Sequence, residues 1–280
     1  MPIYLRPSTL NDALSQLRAG SYRLLAGGTD IYPATQRADL AEDIIDLTSL
    51  SELCGIHNMP DGIRIGACTP WSMIARAKLP PALCALQQAA AEVGGKQIQN
   101  AGTIGGNLCN ASPAADGVPP LLVLDAQVEL ARAGRIRKLP LADFLLGPRQ
   151  TALARDEVMT AILLPGSALT GHSRFLKLGA RAYLVISIAM VAVRLTTEHG
   201  RITSAALAIG ACSATAQRLP LAESALIGAA LFGAAELVTA EIVAPYLSPL
   251  DDIRASADYR AEAAVELLRR AISQTGRDRV

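Results

Sequence analysis

The stretch from residue 94 to residue 116 reads GGKQIQNAGTIGGNLCNASPAAD and is the most informative part of the chain. It holds five glycines within residues 94–106, a far higher density than the 22 glycines spread over all 280 residues. Its apolar residues follow neither a helical nor an alternating period, which predicts a glycine-rich loop between regular elements.

A second glycine-rich segment, LLAGGTD at residues 24–30, follows a short apolar strand earlier in the chain. Glycine lets backbone N–H groups converge on a small volume, and converging N–H groups form a cradle for anions. Either segment alone is also compatible with an ordinary tight turn. Together they predict that a pyrophosphate is enclosed from two sides, with further donors on Thr29, Thr103, Asn107 and Ser112.

The rest of the chain mixes short strands with helices and lacks a regular βαβ alternation, which indicates an α+β fold. Strands are predicted over residues 22–26, 44–47, 158–164, 175–178, 186–195 and 202–209, and hairpins over 56–65 and 128–139. Helices are predicted from a Ser8 or Thr9 cap to Gly20, from a Thr69 cap, and over 80–93, 118–124 and 258–272. Residues 166–171 are the best linker candidate.

Composition excludes several classes of protein. Hydrophobic residues make up 51% and charged residues 18%, so disorder is excluded, and the net charge of +1 argues against a nucleic-acid binder. The densest basic stretch, residues 132–138, is predicted to be a solvated turn.

The five cysteines include no CxxC pair, so we expect neither a disulfide framework nor a zinc or iron–sulfur site. Without a visible signal peptide or a long apolar stretch, we expect a soluble, cytoplasmic protein.

Two motifs, AGGTDIYP at residues 26–33 and GKQIQNAGTIGGNLCNASPAAD at residues 95–116, resemble the FAD-binding subunit of the molybdenum hydroxylases. This is the family of xanthine dehydrogenase and carbon monoxide dehydrogenase. Residues 174–181 (RFLKLGAR) and 256–260 (SADYR) are similar to two further family segments, so the resemblance covers nearly the whole chain.

The resemblance implies a two-lobed FAD-binding domain of the vanillyl-alcohol-oxidase/MurB-like type, with subdomains at residues 1–54 and 55–165. A C-terminal domain at residues 172–280 would add a three-stranded antiparallel sheet and helices. The first glycine segment would lie along the diphosphate and ribityl chain, and the second would contact the diphosphate. The FAD-binding residues implied in this way are Leu24, Ala26, Gly27, Gly28, Thr29, Asp30, Gly102, Thr103, Gly105, Gly106, Asn107, Cys109, Asp116, Met159 and Lys177.

Four of these residues also have structural interpretations that involve no cofactor. Asp116 is equally well placed to cap the helix that starts near Val118. Lys177 fits a surface position on a strand, Met159 fits an ordinary core position, and Cys109 fits a small buried filler. Arg181 and the pair Asp258–Arg260 are predicted to be structural.

The function implied by the resemblance is that of an FAD-carrying electron-transfer subunit. Its partners would be a large molybdopterin-binding subunit and a small 2Fe–2S subunit, and its acceptor would be NAD, O₂ or another oxidant. Two alternatives stay open: a scaffold subunit with a decayed flavin site, and a stand-alone flavin oxidoreductase in which Lys177 or Tyr183 would handle protons. Two departures from the family concern the acceptor: Val93 stands where some NAD-reducing relatives have an aromatic residue, and residues 182–185 (AYLV) replace acidic residues found in many relatives.

Overall fold

The computed structural model describes residues 2–35, 40–182 and 184–277; the sequence prediction for Tyr183 therefore lies outside the described residues. The helices are α1 Leu10–Ala19, α2 Ile31–Ala34, α3 Trp71–Arg76, α4 Cys84–Glu92, α5 Lys96–Ala101, α6 Ile104–Asn110, α7 Val118–Val123, α8 Leu141–Phe144, α9 Pro220–Leu226, α10 Ala240–Val243 and α11 Ala257–Arg277. Short 3-10 helices lie at Ser51–Leu53, Pro81–Leu83, Gly166–Leu169, Ala234–Leu237 and Ala244–Tyr246.

The strands of the described residues form four sheets. They are β1 Tyr4–Leu5, β2 Arg23–Leu25, β3 Ile44–Asp46, β4 Ile56–Met59, β5 Gly62–Gly66, β6 Gln127–Arg132, β7 Arg135–Pro140, β8 Leu145–Gly147, β9 Gln150–Thr151, β10 Val158–Pro165, β11 His172–Leu178, β12 Ala189–Glu198, β13 Arg201–Gly210 and β14 Gln217–Arg218. A parallel sheet has the order β1-β3-β2, and an antiparallel sheet has the order β4-β5-β10-β6-β7. The C-terminal antiparallel sheet has the order β11-β12-β13-β14, and β8 pairs with β9.

The C-terminal sheet is buried on both faces, and this fixes how it meets the rest of the chain. Along β12, Met190 and Ala192 pack into the large core that holds Trp71, the five-stranded sheet and α4. Val191 and Val193, on the opposite face, pack into a second core with α11. Because successive side chains of a strand point to opposite faces, the buried residues of this sheet face one core or the other. A third, smaller core joins α1 to the three-stranded sheet.

Most of the predicted elements are present, and the basic stretch forms the turn of the β6–β7 hairpin. Around that turn, Arg137 is held by Glu157 through an Nε–Oε1 contact of 2.7 Å. The described part of the chain contains no helix long and apolar enough to cross a membrane. The α+β prediction fits this mixture of helices and mostly antiparallel strands.

Three predictions of secondary structure are wrong. The C-terminal sheet has four strands rather than three, because β14 is only two residues long and leaves no alternation in the sequence. Residues 96–101 and 104–110 form short helices instead of a continuous loop. Thr69 does not cap α3, which starts at Trp71; its hydroxyl bonds the backbone N–H and C=O of Gly55 instead.

The arginine of the SADYR motif has a structural role, as predicted. Arg260 is buried and donates to the carbonyl oxygens of Ile188 and Ala211 and to the carboxylate of Asp252, with Nη2–Oδ1 at 2.7 Å. These bonds tie the start of α11 to the ends of β12 and β13. Arg181 is also held by local structure, since its guanidinium donates to the carbonyl oxygen of Leu184 at 2.6 Å.

Candidate functional site

A cavity of about 910 Å³ lies where the three-stranded sheet, the five-stranded sheet and the C-terminal sheet approach one another. It is lined by residues from β2 through α2, from the β5–α3 connection, from α5 and α6, and from β10 and β11. All fifteen residues singled out in the sequence lie on its wall: Leu24, Ala26, Gly27, Gly28, Thr29, Asp30, Gly102, Thr103, Gly105, Gly106, Asn107, Cys109, Asp116, Met159 and Lys177. The chain therefore brings together segments that are far apart in sequence, since Leu24 and Lys177 are separated by 153 positions.

The first glycine segment presents bare backbone amides to this cavity. Within residues 2–35, 40–182 and 184–277, the N–H groups of Gly27, Gly28 and Thr29 donate to no other group. Gly28 has φ +68°, a left-handed conformation that glycine adopts without strain and that turns the chain from β2 into α2. Three consecutive unpaired amides at a turn form the kind of concave site that binds an anion.

The two glycine segments are in direct contact. A Cβ atom built on Gly27 would lie 1.9 Å from the carbonyl oxygen of Ala101 and 2.9 Å from Cα of Gly102. A Cβ atom on Gly102 would lie 3.3 Å from Oγ1 of Thr29. The backbones can approach this closely only because neither glycine carries a side chain.

The second segment does not offer the amides that the sequence predicted. Its N–H groups are used within the protein: Ile104 donates to Thr69, Gly105 donates to the carbonyl oxygen of Ala67 at 2.8 Å, and Gly106 donates to Oγ1 of Thr103 at 3.0 Å. Thr103 thereby caps the N-terminus of α6. The prediction that both segments bind an anion through unpaired backbone N–H groups is therefore wrong for the N–H groups of residues 104–106.

What the second segment does offer is side chains. The Oδ1 atom of Asn107 is buried and has no hydrogen-bond partner among the described residues, although Asn107 lies on the cavity wall. This oxygen is buried beside Gly117, where an added Cβ atom would lie 2.9 Å from it, so it does not face the cavity. The side-chain N–H groups of Asn107 donate to none of the described residues and are therefore left for a ligand. Ser112, which was also predicted to donate, does not line the cavity; its Oγ accepts from the N–H of Ala114 at 3.3 Å.

A buried ion pair occupies another part of the wall. Lys177 Nζ lies 2.5 Å from Asp116 Oδ2, and Ser187 Oγ donates to Asp116 Oδ1 at 2.6 Å. Only 8% of each charged side chain is exposed. Burial raises the pKa of Asp116, and the Lys177 ammonium and the Ser187 hydroxyl oppose part of that rise.

These contacts exclude two structural interpretations made from the sequence. Asp116 does not cap α7, whose N-cap is Gly117 without a side-chain hydrogen bond. Lys177 is not a surface residue; it lies on the same face of β11 as Phe175, which packs into the large core. The strand therefore points the lysine inward, toward α6 and α7.

Met159 and Cys109 are both core residues and wall residues. Met159 on β10 is buried within the large core, and Cys109 on α6 packs against it. Burial raises the pKa of the Cys109 thiol to about 12, and it does the same for Cys68, a wall residue that the sequence analysis missed. Both thiols are therefore neutral and poor nucleophiles at ordinary pH, in agreement with a filler role for Cys109.

Sequence reasoning missed other wall residues besides Cys68. Arg149 in the β8–β9 turn has φ +59° and donates to the Asn110 side chain across the cavity wall. Ile98 and Ile186 were missed as well, whereas Val93 and residues 184–185, which the sequence analysis noted as departures from the family, also line the cavity. Residues 147–150 (GPRQ) do carry a turn signal, but a turn signal does not show which way the arginine faces.

Helix α4 brings a third titratable group toward the ion pair. The helix is fastened along β11, because Ala85 N–H donates to Ser173 Oγ and Phe175 N–H donates to Gln88 Oε1, both at 2.8 Å. Glu92 is one helical turn beyond Gln88, and burial raises its pKa while Lys177 lowers it in part.

Replacing Glu92 with glutamine is expected to stabilise the protein above pH 4.5. Because the pKa of Glu92 is raised in the folded state, its contribution to the free energy of unfolding is present in full below its unfolded pKa. That contribution is lost as the pH rises through the folded-state pKa. The gain should stay below about 1 kcal/mol because the side chain is half-exposed. Urea unfolding at pH values below and above 4.5 measures this gain in the free energy of unfolding. Glu198→Gln, on the exposed end of β12, is the control. A Glu92→Gln variant that is less stable than wild type at neutral pH would contradict the expectation.

Comparison with known proteins agrees with this geometry. Residues 1–167 match the family described as "FAD binding domain in molybdopterin dehydrogenase", and residues 174–275 match "CO dehydrogenase flavoprotein C-terminal domain". The chain is 31% identical to the xanthine dehydrogenase FAD-binding subunit of Escherichia coli O157:H7, over 97% of this chain and 94% of the relative. It is also 31% identical to the nicotine 6-hydroxylase medium subunit of Paenarthrobacter nicotinovorans, over 98% and 96% of the two chains.

A solved structure supports the same relationship. A chain of carbon monoxide dehydrogenase from Hydrogenophaga pseudoflava superimposes with a TM-score of 0.88 at 28% identity, over 99% of this chain and 97% of that chain. The protein is thus an oxidoreductase subunit whose cofactor is FAD, and it belongs to the family of FAD-binding medium subunits of the molybdenum hydroxylases.

Proposed function

We propose that this chain is the electron-transfer flavoprotein of a molybdenum hydroxylase complex. A small partner subunit with 2Fe–2S clusters would deliver electrons from a large molybdopterin-binding subunit, and the chain would pass them to NAD, O₂ or another oxidant. The observation that carries the proposal is a single cavity with unpaired amides in its lining and a buried lysine–aspartate pair in the same wall. The cavity would lie between subdomains 1–54 and 55–165, with residues 172–280 closing it.

The residues present fit FAD. The amides of Gly27, Gly28 and Thr29 would donate to the diphosphate, and the side-chain N–H groups of Asn107, which donate to none of the described residues, would add further donors. The glycines at 27 and 102 keep the two segments close enough to act on one group. Bound FAD would supply the electron-accepting and electron-donating chemistry.

The ion pair would serve the other end of the cofactor. Lys177 carries a positive charge on the cavity wall in a place from which water is largely excluded, and Asp116 holds that ammonium in position. A fixed cation near the flavin favours a negative charge on it, so Lys177 would stabilise the reduced form. Met159 and the neutral thiol of Cys109 would add apolar surface without redox chemistry of their own.

A flavin titration tests the proposal. The full chain is freed of flavin and titrated with FAD, and binding is followed by quenching of flavin fluorescence. Wild-type protein should bind FAD stoichiometrically, and Asn107→Ala should weaken binding by about one to two orders of magnitude, since a hydrogen bond to a charged group is worth about 1.5–3 kcal/mol. Asn58→Ala, on the exposed strand β4, is the matched control.

Two results would count against the proposal. Failure of the folded wild-type chain to bind FAD would remove the flavin site altogether. Unchanged affinity in Asn107→Ala would remove Asn107 and the second segment from the diphosphate site. The partner assignment is tested separately, by mass spectrometry of the chains that co-purify with this protein from its own organism: a molybdopterin-binding chain and a 2Fe–2S chain are expected, and purification as a single chain would contradict it.

A further inference from the structure

The β6–β7 hairpin places a strand with an open edge at the surface of the molecule. Strand β7 (Arg135–Pro140) is the outer strand of the five-stranded sheet, and its six residues, all of them described, lie outside the cavity wall. None of the six is buried. An open strand edge presents backbone donors and acceptors to which another chain can add a strand.

The other sheet edges formed by the described residues are short or covered. The edge strands of only two to four residues are β1, β2, β4, β8, β9 and β14. Strand β11 is longer, but α4 covers its edge, and the side chain of Gln88 on that helix accepts from the N–H of Phe175 at 2.8 Å. Short strands and covering helices are two common ways in which proteins protect a sheet edge. Strand β7 has neither protection.

The register of the hairpin shows which backbone groups of β7 are free. In an antiparallel pair, every second residue exchanges backbone hydrogen bonds with the neighbouring strand. Leu141, directly after β7, donates its N–H to the carbonyl oxygen of Ala126 at 2.9 Å, so the odd-numbered residues of β7 are those that bond to β6. The N–H and C=O groups of Ile136 and Lys138 therefore point away from the sheet. They have no hydrogen-bond partner in the part of the chain that the structure describes.

The side chains along this edge are basic, with one apolar residue among them. Strand β7 carries Arg135, Arg137 and Lys138 and no acidic residue. Arg137 is paired with Glu157, whereas Arg135 and Lys138 form no ion pair with any of the described residues. Ile136 is 62% exposed, although it is a large aliphatic residue. The edge therefore has two unpaired cations and an apolar side chain in contact with water.

The charge of the edge decides which chain can pair with it. Two β7 strands from two copies of this chain would place cations opposite cations, which destabilises a strand pair. An extended segment with acidic residues would instead place carboxylates opposite Arg135 and Lys138, and an apolar residue of that segment would cover Ile136. Opposite charges and apolar contacts across a strand pair both stabilise it. The edge therefore fits an acidic chain of different sequence better than a second copy of itself.

We propose that β7 binds an extended acidic segment of another subunit, which adds a strand to the five-stranded sheet. The backbone groups of Ile136 and Lys138 make the hydrogen bonds, and Arg135 and Lys138 select the acidic segment by its charge. The proposal rests on the proposed function in one respect, which is that the chain belongs to a complex of several subunits. Because β7 lies outside the cavity wall, this contact holds a partner without using the residues assigned to FAD.

Hydrogen exchange at single amides tests the added strand. The complex is purified from the protein's own organism through a tag on this chain, and the same full chain is also produced alone. In the chain alone, the N–H groups of Ile136 and Lys138 should exchange freely, whereas those of Arg137 and Leu139, which bond to β6, should be protected. In the complex, Ile136 and Lys138 should exchange at least about tenfold more slowly. A contact made by side chains alone would not produce this alternating pattern.

A charge-reversed variant tests the choice of an acidic segment. Arg135→Glu/Lys138→Glu should raise about tenfold the protein concentration at which half of the complex dissociates, because two attractive pairs become repulsive. Native mass spectrometry of a dilution series measures this concentration. The matched control is Arg76→Glu/Lys78→Glu, which makes the same change of charge at two exposed residues at the end of α3 and should leave the concentration unchanged. Both variants should retain FAD, since none of the four residues lines the cavity.

The outcomes separate this inference from the proposed function. A complex in which Ile136 and Lys138 exchange as fast as in the chain alone contradicts the added strand and leaves the proposed function standing. Equal dissociation of wild type and Arg135→Glu/Lys138→Glu, or equal weakening in the control variant, contradicts the acidic segment. Purification of the wild-type chain without any other subunit contradicts both the partner assignment and this inference, whereas the FAD titration is independent of all three results.

Discussion

Replacing Gly27 with alanine is expected to abolish FAD retention and to lower the free energy of unfolding by about 3 kcal/mol, at the upper end of the usual cost of overpacking. The added methyl group would lie 1.9 Å from the carbonyl oxygen of Ala101, 2.6 Å from its carbonyl carbon and 2.9 Å from Cα of Gly102. All three contacts are with backbone, so no side-chain rotation relieves them. The two glycine segments must therefore separate, and the amides of residues 27–29 move away from Asn107.

Urea unfolding and FAD titration measure the two effects. The control is Gly147→Ala, because a Cβ atom on Gly147 would meet its nearest neighbour, the side chain of Gln150, at an ordinary 3.6 Å. A Gly27→Ala variant with wild-type stability and full flavin content would show that the segments do not need this contact. A variant that is destabilised but still saturates with FAD would show that the contact serves the fold and not the cofactor.

At Gly105 the structure changes the physical reason for expecting an effect of a larger residue. The sequence predicted bare amides in this segment, and a side chain at residue 105 would then block the approach of a ligand. In the structure the Gly105 N–H is already bonded to Ala67, and a Cβ atom there would lie 2.6 Å from both the Cβ and the carbonyl oxygen of Ala67. A valine would therefore first push α6 away from the β5–α3 connection, and any effect on FAD would follow from that displacement.

The elements that could be predicted from the sequence are those whose burial is periodic. Leu10, Ala13, Leu14 and Leu17 follow the helical period, and α1 buries the last three of them. The two hairpins with turns at Asp61 and Gly134 could be predicted as well, because their strands alternate apolar and polar residues or are joined by strong turn residues. In these places local pattern and tertiary packing agree, so the sequence alone suffices.

The missed elements lack a periodic buried face. Helices α5 and α6 are six and seven residues long and have one side on the cavity, so their glycines, Thr103 and Asn107 interrupt any apolar stripe. The Asp116–Lys177 pair joins residues that are 61 positions apart, a contact that spacing cannot reveal. Their proximity was expected only through resemblance to a family, and the left-handed conformation of Leu184 was not expected at all.

Replacing Lys177 with methionine is expected to leave FAD bound but to lower the reduction potential of the flavin, because a cation that favours the reduced form is removed. It should also destabilise the protein by about 3 kcal/mol near neutral pH, since Asp116 would be left buried with Ser187 as its one remaining hydrogen-bond partner among the described residues. Without the ammonium the pKa of Asp116 must rise further, because burial already raises it and Lys177 opposes that rise. The destabilisation should therefore shrink as pH falls and the carboxyl becomes protonated.

Dye-equilibrated redox titration measures the potential, and urea unfolding at several pH values measures the stability. The double variant Lys177→Met/Asp116→Asn is the matched control: it restores a neutral site and should recover most of the stability, but not the potential, because the cation near the flavin is still absent. This pattern separates the two roles of the lysine. A Lys177→Met variant with an unchanged potential would place the lysine away from the flavin, whereas a potential restored by Asp116→Asn would show that the aspartate, and not the lysine, governs the flavin.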